Sequence, residues 1–127
     1  VTLVQSAAGE IFDQMLRIGP GDVLVGISFP RYSQIAVNAV RFARDRGADV
    51  IAVTDSKMSP IYKMASASLL VSSDMISFVD SMAAPVSLLN ALIMAVGQQK
   101  SEETAESFSE LERVWSQYGV FGDAEDE

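Results

Sequence analysis

The clearest change of period lies in residues 22–47, DVLVGISFPRYSQIAVNAVRFARDRG. Residues 22–28 form a short, nearly continuous apolar run, the pattern of a parallel strand buried on both faces. Past it, Ile35, Ala36, Ala39, Val40 and Ala43 recur at helical intervals. Arginines gather in the last turn, where the helix dipole favours cations, and Gly47 stands where the helix would end. The intervening loop, Ser28-Phe29-Pro30-Arg31-Tyr32-Ser33, is therefore expected at the carboxyl end of a strand. Open α/β sheets bind ligands at that end.

The same alternation extends in both directions. Residues 1–4 read as a strand and residues 6–18 as a helix, with Ile11, Phe12, Met15 and Leu16 as its apolar positions. Gly19-Pro20-Gly21 breaks that helix and returns the chain to the strand at 22. Residues 49–54 read as another strand, 55–60 as its loop, 61–65 as a short helix and 67–71 as a further strand. Strands separated by helices imply parallel pairing, so we expect one parallel sheet with helices on both faces, a three-layer α/β domain.

Residues 81–96, SMAAPVSLLNALIMAV, are apolar almost all the way round a helix, which predicts burial in the core or at a subunit interface. The run is shorter than the roughly 20 apolar residues of a membrane span, and it carries Pro85, Ser87 and Asn90. Pro85 suits a first helical turn, where a missing N–H costs nothing. Asp74 and Asp80, just upstream, read as capping or turn residues. Residues 101–118 form a second, amphipathic pattern with Phe108, Leu111, Trp115 and Tyr118 on one stripe. That stripe can dock on its own domain or on a partner subunit. The chain thus reads as an α/β domain over 1–99, a C-terminal helix over 100–118 and an acidic tail over 119–127, whose FGDAEDE end has a disordered composition.

Composition narrows the functional classes. With 127 residues, 49% of them hydrophobic, the chain can build one substantial core. It has no cysteine and no histidine, so a disulfide framework, a thiolate metal site and an imidazole base are all excluded, and no cofactor is expected. The opening VTLV lacks a charged segment followed by an apolar one, which gives a cytoplasmic expectation and fits a piece of a longer chain. Residues 100–127 hold nine acids and two bases, so most of the net charge of -8 lies there and the rest of the chain is nearly neutral. Neither part has the basic footprint of a nucleic-acid surface. Arg41, Arg44 and Arg46 fit a solvated helix end better than an anion patch.

Candidate chemistry concentrates in two loops. Ser28 and Ser33 bracket the first, so their hydroxyls and the free N–H groups of the following helix turn can converge on a phosphate, with Arg31 adding a charge-assisted contact. Alternatively, Ser33 simply caps the helix and Ser28 ends the strand. In the second loop Thr54, Asp55 and Ser56 suit a ligand hydroxyl, although local turn chemistry accounts for them equally well. The chain carries neither a P-loop nor a Gly-rich dinucleotide fingerprint.

GISFPRYSQ, followed by RDRGADVIAVTDSKMSPIYKMASASLLVSS, closely resembles the sugar-isomerase (SIS) domain of RpiR-type transcriptional regulators over about residues 22–99. The resemblance implies a flavodoxin-like parallel sheet, a phosphosugar or sugar-acid effector, and association into dimers or higher oligomers. It also implies DNA contact only through a helix-turn-helix domain absent from this chain, and no membrane. The family's phosphate loop, S-x-S-G-x-T, falls on Ser28, Pro30, Arg31 and Ser33. Two hydroxyl positions survive, while Pro30 replaces a serine and Arg31 a glycine that reaches positive φ easily. On this resemblance the ligand-binding set is Ser28, Arg31, Ser33, Thr54 and Ser56, and no residue is assigned a catalytic role.

In the family a further strand and helix, with a Gly-rich turn and another ligand-binding serine, precede the unit that starts here at Val1. That strand would lie beside the strand at 22, which predicts that this chain is a fragment or that the unit is supplied or replaced. The preferred functional reading is a non-enzymatic effector-binding and dimerisation domain of a transcriptional regulator. A phosphosugar aldose-ketose isomerase of the same fold is the alternative, but it needs a base near the carbonyl carbon, and the 81–96 helix has no carboxylate. A bare oligomerisation module is the third reading.

Overall fold

The structure, a computed structural model, describes residues 1–4, 10–72 and 81–120. Its centre is a parallel sheet of β1 (Val23–Ile27), β2 (Asp49–Thr54) and β3 (Ala67–Leu70) in the order β1-β2-β3. Register pairs Leu24 with Val50 and Gly26 with Ala52 across the first ladder, and Ala52 with Ser68 across the second. All three strands therefore point their carboxyl ends the same way, as the alternating pattern predicts.

Residues 1–4 are the exception among the strand expectations: they lie outside the sheet, with Val1 and Leu3 exposed. An apolar run becomes a strand only where a neighbour satisfies its N–H and C=O groups. Among the described residues none pairs with 1–4.

The helix after β1 is α2 (Gln34–Asp45), and it is amphipathic for a structural reason. Val37, Ala39, Val40 and Ala43 form one buried stripe, packed with Val50 and Ala52 of β2 and with Ile61. Gly26 lets α2 come close: a Cβ there would stand 2.7 Å from the Val40 Cγ2 atom. Helix and strand thus meet at a distance that only a residue without a side chain permits. The helix ends as read, at Gly47 with φ 83°, whose N–H donates to the Arg44 carbonyl while Ala48 donates to Ala43.

A short α1 (Glu10–Gln14) precedes β1, and its Ile11 joins Met15 in the same core. Residues 6–9 of the expected 6–18 helix lie outside the described set. Gly19-Pro20-Gly21 is the expected break, with φ 89° at Gly21 and the Gly19 N–H donating to Asp22. Arg46 has a structural use: its guanidinium donates to the Leu16 carbonyl at 2.7 Å and lies 4.8 Å from the Phe42 ring centre. Phe42 meets Phe12 edge to face.

The short helix read at 61–65 is a 3-10 turn over Tyr62–Met64, next to the fully buried Ile61. Asp74 and Asp80 lie outside the described residues, as does the 121–127 end of the acidic tail. Beyond them come α3 (Ala83–Gln99) and α4 (Ser101–Tyr118), the latter with the bounds its periodicity predicts and Gly119 in the left-handed region at its end. The chain divides into two compact units, residues 1–87 and 88–127. Pro85 is buried in the first turn of α3, but Val86, Ile93, Met94 and Val96 are exposed. Of the two expected settings, core or subunit interface, the described residues do not provide the core. An all-apolar helix needs cover on most sides, and the described residues supply little of it. On α4, Phe108, Leu111 and Tyr118 are exposed as well. No helix among the described residues is long and apolar enough to cross a membrane.

Candidate functional site

The 28–33 loop leaves the carboxyl end of β1 and enters α2, so its position follows directly from the parallel sheet. Ser28 is buried, and its N–H donates to the Val53 carbonyl, continuing the ladder past the strand. Ser33 is exposed and stands at the N-cap of α2 with φ -60° and ψ 122°. Its carbonyl accepts from the Val37 N–H, but its side chain makes no cap bond. The geometry therefore leaves the Ser33 hydroxyl uncommitted to the helix it precedes.

Between them, Arg31 is exposed and has φ 73°, the left-handed region. A Cβ crowds the following carbonyl there, so the conformation is unfavourable for arginine and easy for glycine. The loop keeps a glycine-like backbone with an arginine in it. It thereby places a cation one turn before α2, where the first N–H groups lack intrahelical partners. The first turn of α2 carries no acidic residue to oppose an anion.

The second loop follows β2. Thr54 is fully buried, and its hydroxyl donates to the Ser28 carbonyl at 2.6 Å, with Asp55 Oδ1 3.2 Å away. Thr54 thus ties the two strand ends together. Ser56 Oγ accepts from the Met58 N–H at 3.1 Å, the local turn pattern that its sequence context allowed. The fold brings Ser28 and Thr54 together directly and positions Arg31 and Ser33 on the same loop, while Ser56 accepts a bond within its own turn.

Two residues that the sequence left unassigned belong to this end of the sheet. The Tyr32 hydroxyl donates to Asp55 Oδ1 at 3.0 Å, joining the two loops across 23 positions of chain. Desolvation, then the hydrogen bond and negative charge of Asp55, push the Tyr32 phenol above its ordinary value, so it remains a neutral donor at physiological pH. Ser59 is fully buried with an Oγ that has no hydrogen-bond partner among the described residues. Parallel neighbouring strands put their following loops side by side, which was the available hint for both. Neither the Tyr32 pairing nor the Ser59 burial follows from residue spacing. In the second unit, apolar grooves of about 230 and 380 Å³ are lined by residues such as Met94, Thr104, Phe108 and Leu111, and they contain none of the five candidate residues.

Comparison with known proteins places this geometry. The family model described as the SIS domain matches residues 2–95. An uncharacterized HTH-type transcriptional regulator of Caldanaerobacter subterraneus subsp. tengcongensis is 30% identical over 105 residues, which cover 80% of this chain and 37% of that protein. The chain thus spans little more than a third of this curated relative. Among solved structures, the sugar isomerase domain of an RpiR transcription factor from Sphaerobacter thermophilus superposes with a TM-score of 0.81 at 23% identity, covering 88% of this chain and 63% of that one. A second structure, that of a hypothetical protein, gives a TM-score of 0.57 at 30% identity over 72% of this chain and 56% of its own.

Proposed function

This chain belongs to the SIS-domain family, and from that premise we propose that it is the effector-binding and self-association domain of an RpiR-type transcriptional regulator. Its effector is a phosphosugar or a related sugar acid, taken at the 28–33 loop. The observation that carries the reading is the state of that loop: an uncommitted Ser33 hydroxyl, an exposed Arg31 in a glycine-like backbone, and the unopposed N-terminus of α2. An anion there meets N–H donors, a hydroxyl and a guanidinium together. Ser28 and Thr54 hold the floor of the site, and Ser56 shapes its second loop.

The regulator reading draws support from the HTH-type relative, and DNA contact would pass through a domain outside these residues. An isomerase would need a base beside the carbonyl carbon. Asp55, a carboxylate at this sheet end, already accepts from Tyr32. Self-association draws support from the exposed apolar residues of α3 and α4, and sedimentation should find dimers or larger species at high micromolar concentration. Thermal melts against a panel of phosphosugars and sugar acids test the effector: a compound at 100 times its dissociation constant adds about 2.7 kcal/mol of stability. A panel without any stabilising compound contradicts the reading.

A further inference from the structure

We infer that Tyr32 is a positioning residue for the anion loop: its bond to Asp55 holds the Arg31 backbone in the left-handed region. The inference rests on the anion reading of the 28–33 loop and adds to it the device that maintains the loop's shape.

Arg31 occupies a conformation that L residues with a Cβ avoid, and such a residue persists only where its surroundings over-determine it. On the N-terminal side the loop is anchored at Ser28, through its N–H to Val53 and through its carbonyl to Thr54. On the C-terminal side Ser33 is anchored through its carbonyl by Val37, but no cap bond from its side chain stiffens the entry to α2. The Tyr32–Asp55 bond falls between these anchors, on the residue next to the strained one. Asp55 is itself fixed, following the buried Thr54 whose hydroxyl lies 3.2 Å from the same oxygen. Breaking the Tyr32 bond leaves the strain at Arg31 opposed by anchors three and two residues away. The backbone then relaxes toward ordinary φ, and the guanidinium and neighbouring N–H groups lose their shared aim. Tyr32 acts here through Arg31 and needs no contact with the anion.

The test uses the full 127-residue chain and inorganic phosphate as the probe. Nitrogen-15 spectra follow phosphate titration at residues 28–35, amide hydrogen exchange follows the loop without phosphate, and thermal melting follows the fold. Tyr32→Phe removes only the hydroxyl. It should weaken phosphate binding by about fivefold to tenfold, the scale of one hydrogen bond, and speed exchange within residues 29–34 while the melting midpoint stays nearly constant. Asp55→Ala should reproduce both effects, and Tyr32→Phe added to Asp55→Ala should change nothing further, because the two remove the same bond. Asp55→Asn keeps an acceptor oxygen and should retain protection and affinity. Unchanged phosphate affinity in Tyr32→Phe, or additive losses in the double variant, overturns the inference. A uniform rise in exchange with a lower midpoint also overturns it, since Tyr32 would then be a general stabilising residue. Absence of phosphate shifts in the unaltered chain overturns the anion reading itself, and this role with it.

Discussion

Along β1, alternate residues of one apolar strand meet opposite surroundings. Leu24 packs against the core and Gly26 touches α2 through Val40, whereas Val23, Val25 and Ile27 on the other face are 56%, 41% and 43% exposed. The strand's composition suits cover on both faces, and the described residues provide it on one. On the same open face, Val53 of β2 is fully buried, so the exposure belongs to the β1 side of the sheet. Apolar pattern thus records what a strand is built to contact, while actual burial depends on which neighbour is present.

The contrast can be broken most strongly on the covered side. Ile61→Ala should cost about 2–5 kcal/mol in denaturant melts, because Ile61 is fully buried and packs with Val40 and Val50. Gly26→Ala comes next: its Cβ would meet Val40 at 2.7 Å, and overpacking of this kind costs about 1–3 kcal/mol. On the open face Val25→Thr should change stability by no more than about 0.5 kcal/mol. A large loss there would mean that something covers this face in solution, and the contrast would fail.

The elements most legible in sequence are those whose pattern and punctuation agree. β2 spans Asp49–Thr54 and α4 spans Ser101–Tyr118 as their periodicity predicts, and Gly47 ends α2 through a positive φ that suits glycine. Residues 1–4 read as a strand by the same rules, yet they need a partner that the local pattern cannot supply. For α3 the apolar character was visible and its exposure was not, because burial is a property of the whole packing. At the site, the 28–33 loop followed from the strand-helix alternation. The status of Ser33 did not: a serine before a helix looks like a cap whether or not its side chain bonds, and here it does not. The Tyr32–Asp55 link joins two loops distant in sequence, so local patterns are silent about it.

The site also has a small pH signature. Because the Tyr32 pKa is raised above 10.0 in the folded chain, folding favours the protonated phenol, so stability is unaffected by this group below the unfolded value and is lost as pH rises through the folded one. The unaltered chain should therefore match Tyr32→Phe in stability through neutral pH and fall below it only in strong alkali. A difference spectrum of phenolate absorbance between the two should place this tyrosine's titration above the ordinary range.

The central claim is that the 28–33 loop binds an anion, and titration calorimetry of Arg31→Ala and Ser33→Ala against the stabilising phosphosugar or sugar acid tests it most directly. Arg31→Ala should weaken binding by about 1.5–3 kcal/mol, the range for a hydrogen bond to a charged group. Ser33→Ala should also lose affinity, while its unliganded stability changes by much less than the roughly 1 kcal/mol of a lost cap, since no cap bond exists to lose. Unchanged affinity in both variants would contradict the account and remove the loop from the function of this domain.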